Sequence, residues 1–139
     1  MSLPRISFNP SPVERAVIDE KLGQYNQSAS SLHQVQDLSL AITTESGNEV
    51  LGGLVGRTWG ACAEIQQLWV HANLRRQGYG SRLLEAFVSE ARHRACKVIY
   101  LETFSFQAPS FYQAHGFVVV HELGGFAPGT IKYWMQRNL

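Results

Sequence analysis

Apolar and polar positions follow one rhythm up to about residue 70 and another beyond it. Residues 4–8 alternate enough for a short strand, which Asn9-Pro10-Ser11-Pro12 then breaks. Ser11 suits an N-cap, with Pro12 at the first helical position and Glu14 three residues after the cap, the reciprocal arrangement that satisfies two orphan amides. Val13, Ala16, Val17 and Leu22 give an approximate helical stripe, so the pattern predicts a helix to about Tyr25 and a polar loop over 26–31. Residues 38–44, 50–59 and 61–70 read as strands, joined by a hairpin turn over 45–48 and by Trp59-Gly60. That is an antiparallel meander.

The later rhythm is helical first. Leu83, Leu84, Phe87, Val88, Ala91 and Ala95 recur at helical spacing over 80–95, with Arg82, Glu85, Glu90, Arg92 and Arg94 off the stripe. A strand over 97–103 follows, then a short helix over 109–115 that Gly116 stops. Strands over 117–123 and 131–136 flank the loop 124–129. Strand, helix and strand between 64 and 103 predict a parallel pair with a crossover helix inside an otherwise antiparallel sheet. The class is α+β, with about six to seven strands.

At 139 residues the chain is one domain, 1–139, on a length prior. Hydrophobic residues at 45% against 17% charged allow a core and exclude disorder by composition. No apolar run approaches the roughly 18–20 residues of a membrane helix, and no signal peptide is visible, so no membrane partner is expected. A net charge of +1 lacks the basic excess of a nucleic-acid binder. Cys62 and Cys96 are too few for a disulfide scaffold and lack metal-ligand spacing; the expectation is two small core thiols, a reduced cytoplasmic setting and no metal.

The most informative segment runs from Leu68 to Ser81. An apolar strand ends at Leu68-Trp69-Val70, and a short loop enters the amphipathic helix through Gly78 and Gly80. A helix start presents unpaired amides and roughly half a positive charge. Glycines let a phosphate approach the backbone, and Arg75 and Arg76 add charge, so the expected ligand is a phosphate or pyrophosphate. Neither Gly-x-x-x-x-Gly-Lys-Ser/Thr nor Gly-x-Gly-x-x-Gly occurs at this turn.

Arg75-Arg76-Gln77-Gly78-Tyr79-Gly80 resembles the Arg/Gln-x-x-Gly-x-Gly/Ala motif of the GNAT N-acetyltransferases, which bind acetyl-CoA. Phe111-Tyr112-Gln113-Ala114-His115-Gly116-Phe117 is similar to the Tyr-x-x-x-Gly-Phe element after that family's fifth strand. The two matches stand in the family's order over residues 61–123. Many members carry Asn followed by Tyr seven positions later; here Gln107 stands at the Asn position and Tyr112 follows after five.

The resemblance implies that strands splayed after Val70 and after Leu101 receive the pantetheine. Leu68, Trp69 and Val70 would line it, with amides near Trp69 and Val70 on the thioester carbonyl. Arg76 through Ser81 (Arg76, Gln77, Gly78, Tyr79, Gly80, Ser81) would hold the pyrophosphate, aided by Arg75, with Gln107 nearby. It implies Tyr112 as the general acid, a phenol being a neutral donor at pH 7. Glu64 is the first candidate base, since its offset from the arginine motif resembles that of the glutamate in the histone-acetyltransferase branch; Glu102 is the second, and a water chain to bulk solvent is the alternative to both. His71 and His115 read as loop or helix-end histidines, Trp59, Trp69, Trp134 and Phe104 as core or pocket aromatics, and Arg57 as a surface strand charge or a contact for a substrate carboxylate. The reading is transfer to a primary amine of a small molecule. Protein or peptide acetylation and a non-catalytic acyl-CoA-binding module remain alternatives, and a homodimer is left open.

Overall fold

The structure is a computed structural model that describes residues 2–29 and 34–139, in two units, Met1–His33 and Gln34–Leu139. In the first unit α1 spans Pro12–Ala29. Its cap closes in both directions: the Glu14 amide donates to Ser11 Oγ at 3.1 Å, and the Ser11 amide donates to Glu14 Oε1 at 2.8 Å. Residues 4–8 form no strand, having no ladder to join. The helix also continues past Tyr25. Nothing in Asn26–Ala29 breaks it, and Ser28 Oγ donates to the Tyr25 carbonyl at 2.8 Å. Residues 30 and 31 of the expected loop lie outside the described residues.

The second unit is a seven-stranded sheet: β1 (Val35–Asp37), β2 (Leu40–Thr43), β3 (Val50–Trp59), β4 (Cys62–Val70), β5 (Val98–Phe104), β6 (Val118–Gly124) and β7 (Ile131–Asn138). The order is β1-β3-β4-β5-β7-β6, with β2 also on β3. Only β4 and β5 run parallel. They are joined through a 3-10 turn (Ala72–Leu74) and the crossover helix α2 (Tyr79–His93). A third helix, α3 (Pro109–Ala114), leads into β6.

One expected strand, 38–44, is two. Leu38 turns into the core, and Ser39 Oγ donates to Asp37 and accepts from the Gly56 amide, so the chain kinks between β1 and β2. The meander turns are as expected, with Gly47 at φ 74° and Gly60 at φ 59°.

Leu83, Leu84, Phe87, Val88 and Ala91 of α2 bury the predicted stripe against Leu54, Ala63, Ile65, Ile99 and Leu101 of the sheet, but α2 ends at His93 and Ala95, expected on the stripe, is exposed in the turn that follows with φ 63°. Cys96 is buried among them; Cys62 is half-buried. The Phe87 ring reaches the sheet because β3 carries glycine beneath it. A Cβ at Gly56 would stand 2.7 Å from that ring and 2.5 Å from the Glu64 carbonyl. Gly56→Ala therefore costs about 1–3 kcal/mol of stability. Urea unfolding with an unchanged slope measures it; an unshifted midpoint would mean that helix and sheet separate freely here.

Candidate active site

Parallel pairing of β4 with β5 runs only from Cys62 opposite Val98 to Ile65 opposite Leu101. It stops where β4 carries a bulge. Against β3, Gln67 faces Val55 and Ile65 faces Gly56, which leaves Gln66 unopposed. A bulge bends its strand and adds twist. Beyond it, β4 pairs with β3 alone and β5 with β7 alone. The strands thus part at Ile65 and Leu101, five residues earlier on β4 than the expected point after Val70. A cleft of about 860 Å³ fills the gap.

Of the fourteen catalytic and cofactor residues singled out in the sequence, twelve line this cleft; Gln77 and Glu64 do not. Gln77 instead closes the turn, its Nε2 donating to the Asn73 carbonyl at 2.8 Å. Glu64 lies before the bulge, where the strands are still zipped. Its carboxylate accepts from Arg57 Nε at 2.8 Å, away from the cleft.

At one end of the cleft, α2 begins at Gly78, whose φ of 83° makes the turn. No side chain caps this start, and the first helical bond runs from the Arg82 amide to the Gly78 carbonyl. The amides of Tyr79, Gly80 and Ser81 are therefore open to an anion. Arg75 braces the turn through Nε to the Val70 carbonyl at 3.1 Å, and the Arg82 guanidinium lies over the Tyr79 ring. Arg76 holds φ 61°, an uncommon conformation for a side-chain-bearing residue. Ser81 Oγ meets His115 Nε2 at 3.0 Å, tying α3 to this helix start, while His71 Nδ1 accepts from the Asn73 amide. These residues fit a pyrophosphate.

Tyr112 lines the same cleft from α3 and is 7% exposed, packed edge-on against Phe111 and Phe117. Burial pushes its phenol from the ordinary 10 up to about 12. The folded chain thus holds this proton more tightly than the unfolded one. The resulting stability is complete below pH 10 and is lost as pH rises to about 12, roughly 3 kcal/mol in all. Tyr112→Phe flattens that loss, read as urea midpoints across this range in parent and variant; parallel curves would mean the phenol is solvated.

Glu102 faces the other side of the sheet. Its neighbours Leu101 and Thr103 point into the core, while Glu102 stands exposed on the cleft wall. Lys132 Nζ lies 2.6 Å from its Oε2, and Trp134 Nε1 donates to Oε1 at 3.0 Å. Gln107 ends β5: its Oε1 accepts from the Phe104 amide at 2.8 Å and from Thr103 Oγ1 at 3.2 Å. Trp69 is half-exposed on the opposite lip. Sequence reasoning missed the Gln66 bulge, for which no residue pattern is diagnostic, and the partners that hold Glu102. No group of three or more His, Cys, Asp and Glu able to hold a metal occurs among the described residues. None of their helices is long and apolar enough to cross a membrane.

The model of the acetyltransferase (GNAT) family matches residues 8–117. The acetyltransferase Atu2258 of Agrobacterium fabrum is 32% identical over 125 residues, 90% of each chain. The blasticidin-S acetyltransferase of Streptomyces morookaense is 35% identical over 92 residues, 66% of this chain and 68% of its own. A crystal structure of an acetyltransferase from Bacillus cereus superposes with a TM-score of 0.84 at 30% identity, covering 97% of this chain and 98% of that one.

Proposed function

This chain belongs to the GNAT acetyltransferase family, and we propose that it moves the acetyl group of acetyl-CoA directly to a primary amine of a small molecule, with Tyr112 as general acid. The observation that carries this reading is one cleft through the parted strands. It holds an uncapped helix start at one end, Tyr112 on the helix side and Glu102 on the open side. The relative named as a blasticidin-S acetyltransferase supports a small-molecule acceptor over a protein one.

Acetyl-CoA supplies the acyl group as a thioester. The first-turn amides of α2 and Arg76 bind its pyrophosphate, and backbone amides near Trp69 and Val70, freed from β5 by the bulge, polarise the carbonyl. The attacking ammonium gives its proton to Glu102, the carboxylate on the cleft wall, rather than to Glu64, which Arg57 holds outside it. Tyr112 donates to the departing sulfur from the other side. Acid and base thus stand on opposite faces of the sheet, so nucleophile and leaving group do not compete for one pocket.

Acetyl-CoA at a hundred times its Kd stabilises the folded chain by about 2.7 kcal/mol, since the helix start exists only when folded. Gly80→Asp abolishes that shift. A carboxylate at the second helical position favours the helix but occupies the anion's place, and a Cβ there meets Phe111 no closer than 3.5 Å, so the fold survives. Thermal melts of both proteins decide: no shift in the parent at millimolar acetyl-CoA, or an equal shift in Gly80→Asp, sinks the cofactor assignment.

A further inference from the structure

We propose that Lys132 is itself an acceptor: with acetyl-CoA bound and no external amine, the chain acetylates its own Lys132. The inference rests on the reading of Glu102 as the group that takes the amine proton. Lys132 Nζ already lies 2.6 Å from the Glu102 carboxylate, which Trp134 Nε1 steadies from the other oxygen. The ammonium also sits over two aromatic rings, 5.6 Å from the Phe104 centroid and 5.2 Å from that of Trp134. A carboxylate and aromatic faces around a cation are what an incoming ammonium substrate needs. Here a side chain of the protein fills that place. Lys132 does not line the cleft, but the carboxylate it touches does. Its side chain is one-quarter exposed, and its four-carbon stem can swing about Glu102.

The step balances without any further reagent. The Lys132 ammonium passes one proton to Glu102, which releases it to water. The neutral Nζ attacks the thioester carbonyl; the N–C bond forms and the C–S bond breaks. The second nitrogen proton leaves as the amide forms, and the sulfur ends protonated by way of Tyr112. The products are Nε-acetyl-Lys132, free CoA thiol and one proton. Acetylation removes the charge of Lys132 and its ion pair with Glu102, so modified enzyme has an altered acceptor side. A bound amine substrate protects Lys132 by taking its place at Glu102.

The chain has three lysines, Lys21, Lys97 and Lys132, so the other two report uncatalysed acetylation. Purified protein is incubated with acetyl-CoA alone, and acetyl groups are located by peptide mass spectrometry. The expected result is labelling of Lys132 about tenfold or more faster than either other lysine, at a rate independent of protein concentration. Glu102→Gln slows it, Gly80→Asp abolishes it, and Lys132→Arg keeps the cation and takes no label. Equal labelling of the three lysines, a rate that rises with protein concentration, or no label while acetyl-CoA still shifts the melting temperature overturns the inference. Absence of that melting shift in the parent overturns the functional reading instead, and this inference with it.

Discussion

Tyr112→Phe lowers kcat by about 10²-fold while acetyl-CoA binding and the neutral-pH melting temperature stay at the parent level. The substitution removes one oxygen and keeps the ring that packs against Phe111 and Phe117. The magnitude follows from the burial that pushes the phenol up to about 12. An alkyl thiol titrates at about 8.5, so full proton transfer from this phenol to the thiolate runs uphill by roughly 5 kcal/mol. Tyr112 therefore gives up its proton only late, as charge grows on sulfur, and regains one as the amide nitrogen loses its own, so its contribution falls at the lower end of general-acid effects. Single-turnover rates with an accepted amine measure this. Parent-level turnover would make Tyr112 a packing residue and leave the thiolate to depart unassisted.

The second large effect separates the two carboxylates. Glu102→Gln lowers the rate by about 10²-fold near neutral pH, where the acceptor is mostly ammonium, and the rate recovers toward higher pH as free amine becomes abundant. Glu64→Gln leaves the rate profile nearly unchanged. Its effect falls on stability, about 1 kcal/mol, because Arg57 loses its half-buried partner. The opposite pattern would return the base to Glu64 and would require the Arg57 pair to open during turnover. A uniform loss in Glu102→Gln with no recovery at high pH would make Glu102 a binding group, and flat profiles in both variants would assign the proton to a water chain.

Much of the site was legible one segment at a time. The capping pair Ser11 and Glu14 and the stripe of α2 from Leu83 to Ala91 depend on neighbours three or four residues away, and both stand where the pattern predicts them. β3 spans Val50–Trp59, as its pattern predicts. Gly78 and Gly80 could be read because a glycine turn into a helix is a local backbone device. Gln77 belonged to the same motif, yet its side chain returns to Asn73, and motif membership carries no information on where a side chain points. The different surroundings of Glu64 and Glu102 were not legible either. Both are strand glutamates, and their difference comes from partners distant in the chain: Arg57 on β3, Lys132 and Trp134 on β7.

By itself the sequence determined the order of elements from β3 onward, the parallel crossover, the uncapped glycine start of α2 and the family motifs around Gly78 and Tyr112, all readable from local spacing or periodicity. Tertiary structure alone decided where the sheet opens. Gln66 becomes a bulge only because β3 pairs on both sides of it, and β5 runs on past that point with β7 still paired along its other edge. That opening puts Glu102 on the cleft wall and leaves Glu64 in the zipped sheet, since a strand side chain takes its surroundings from the strands beside it.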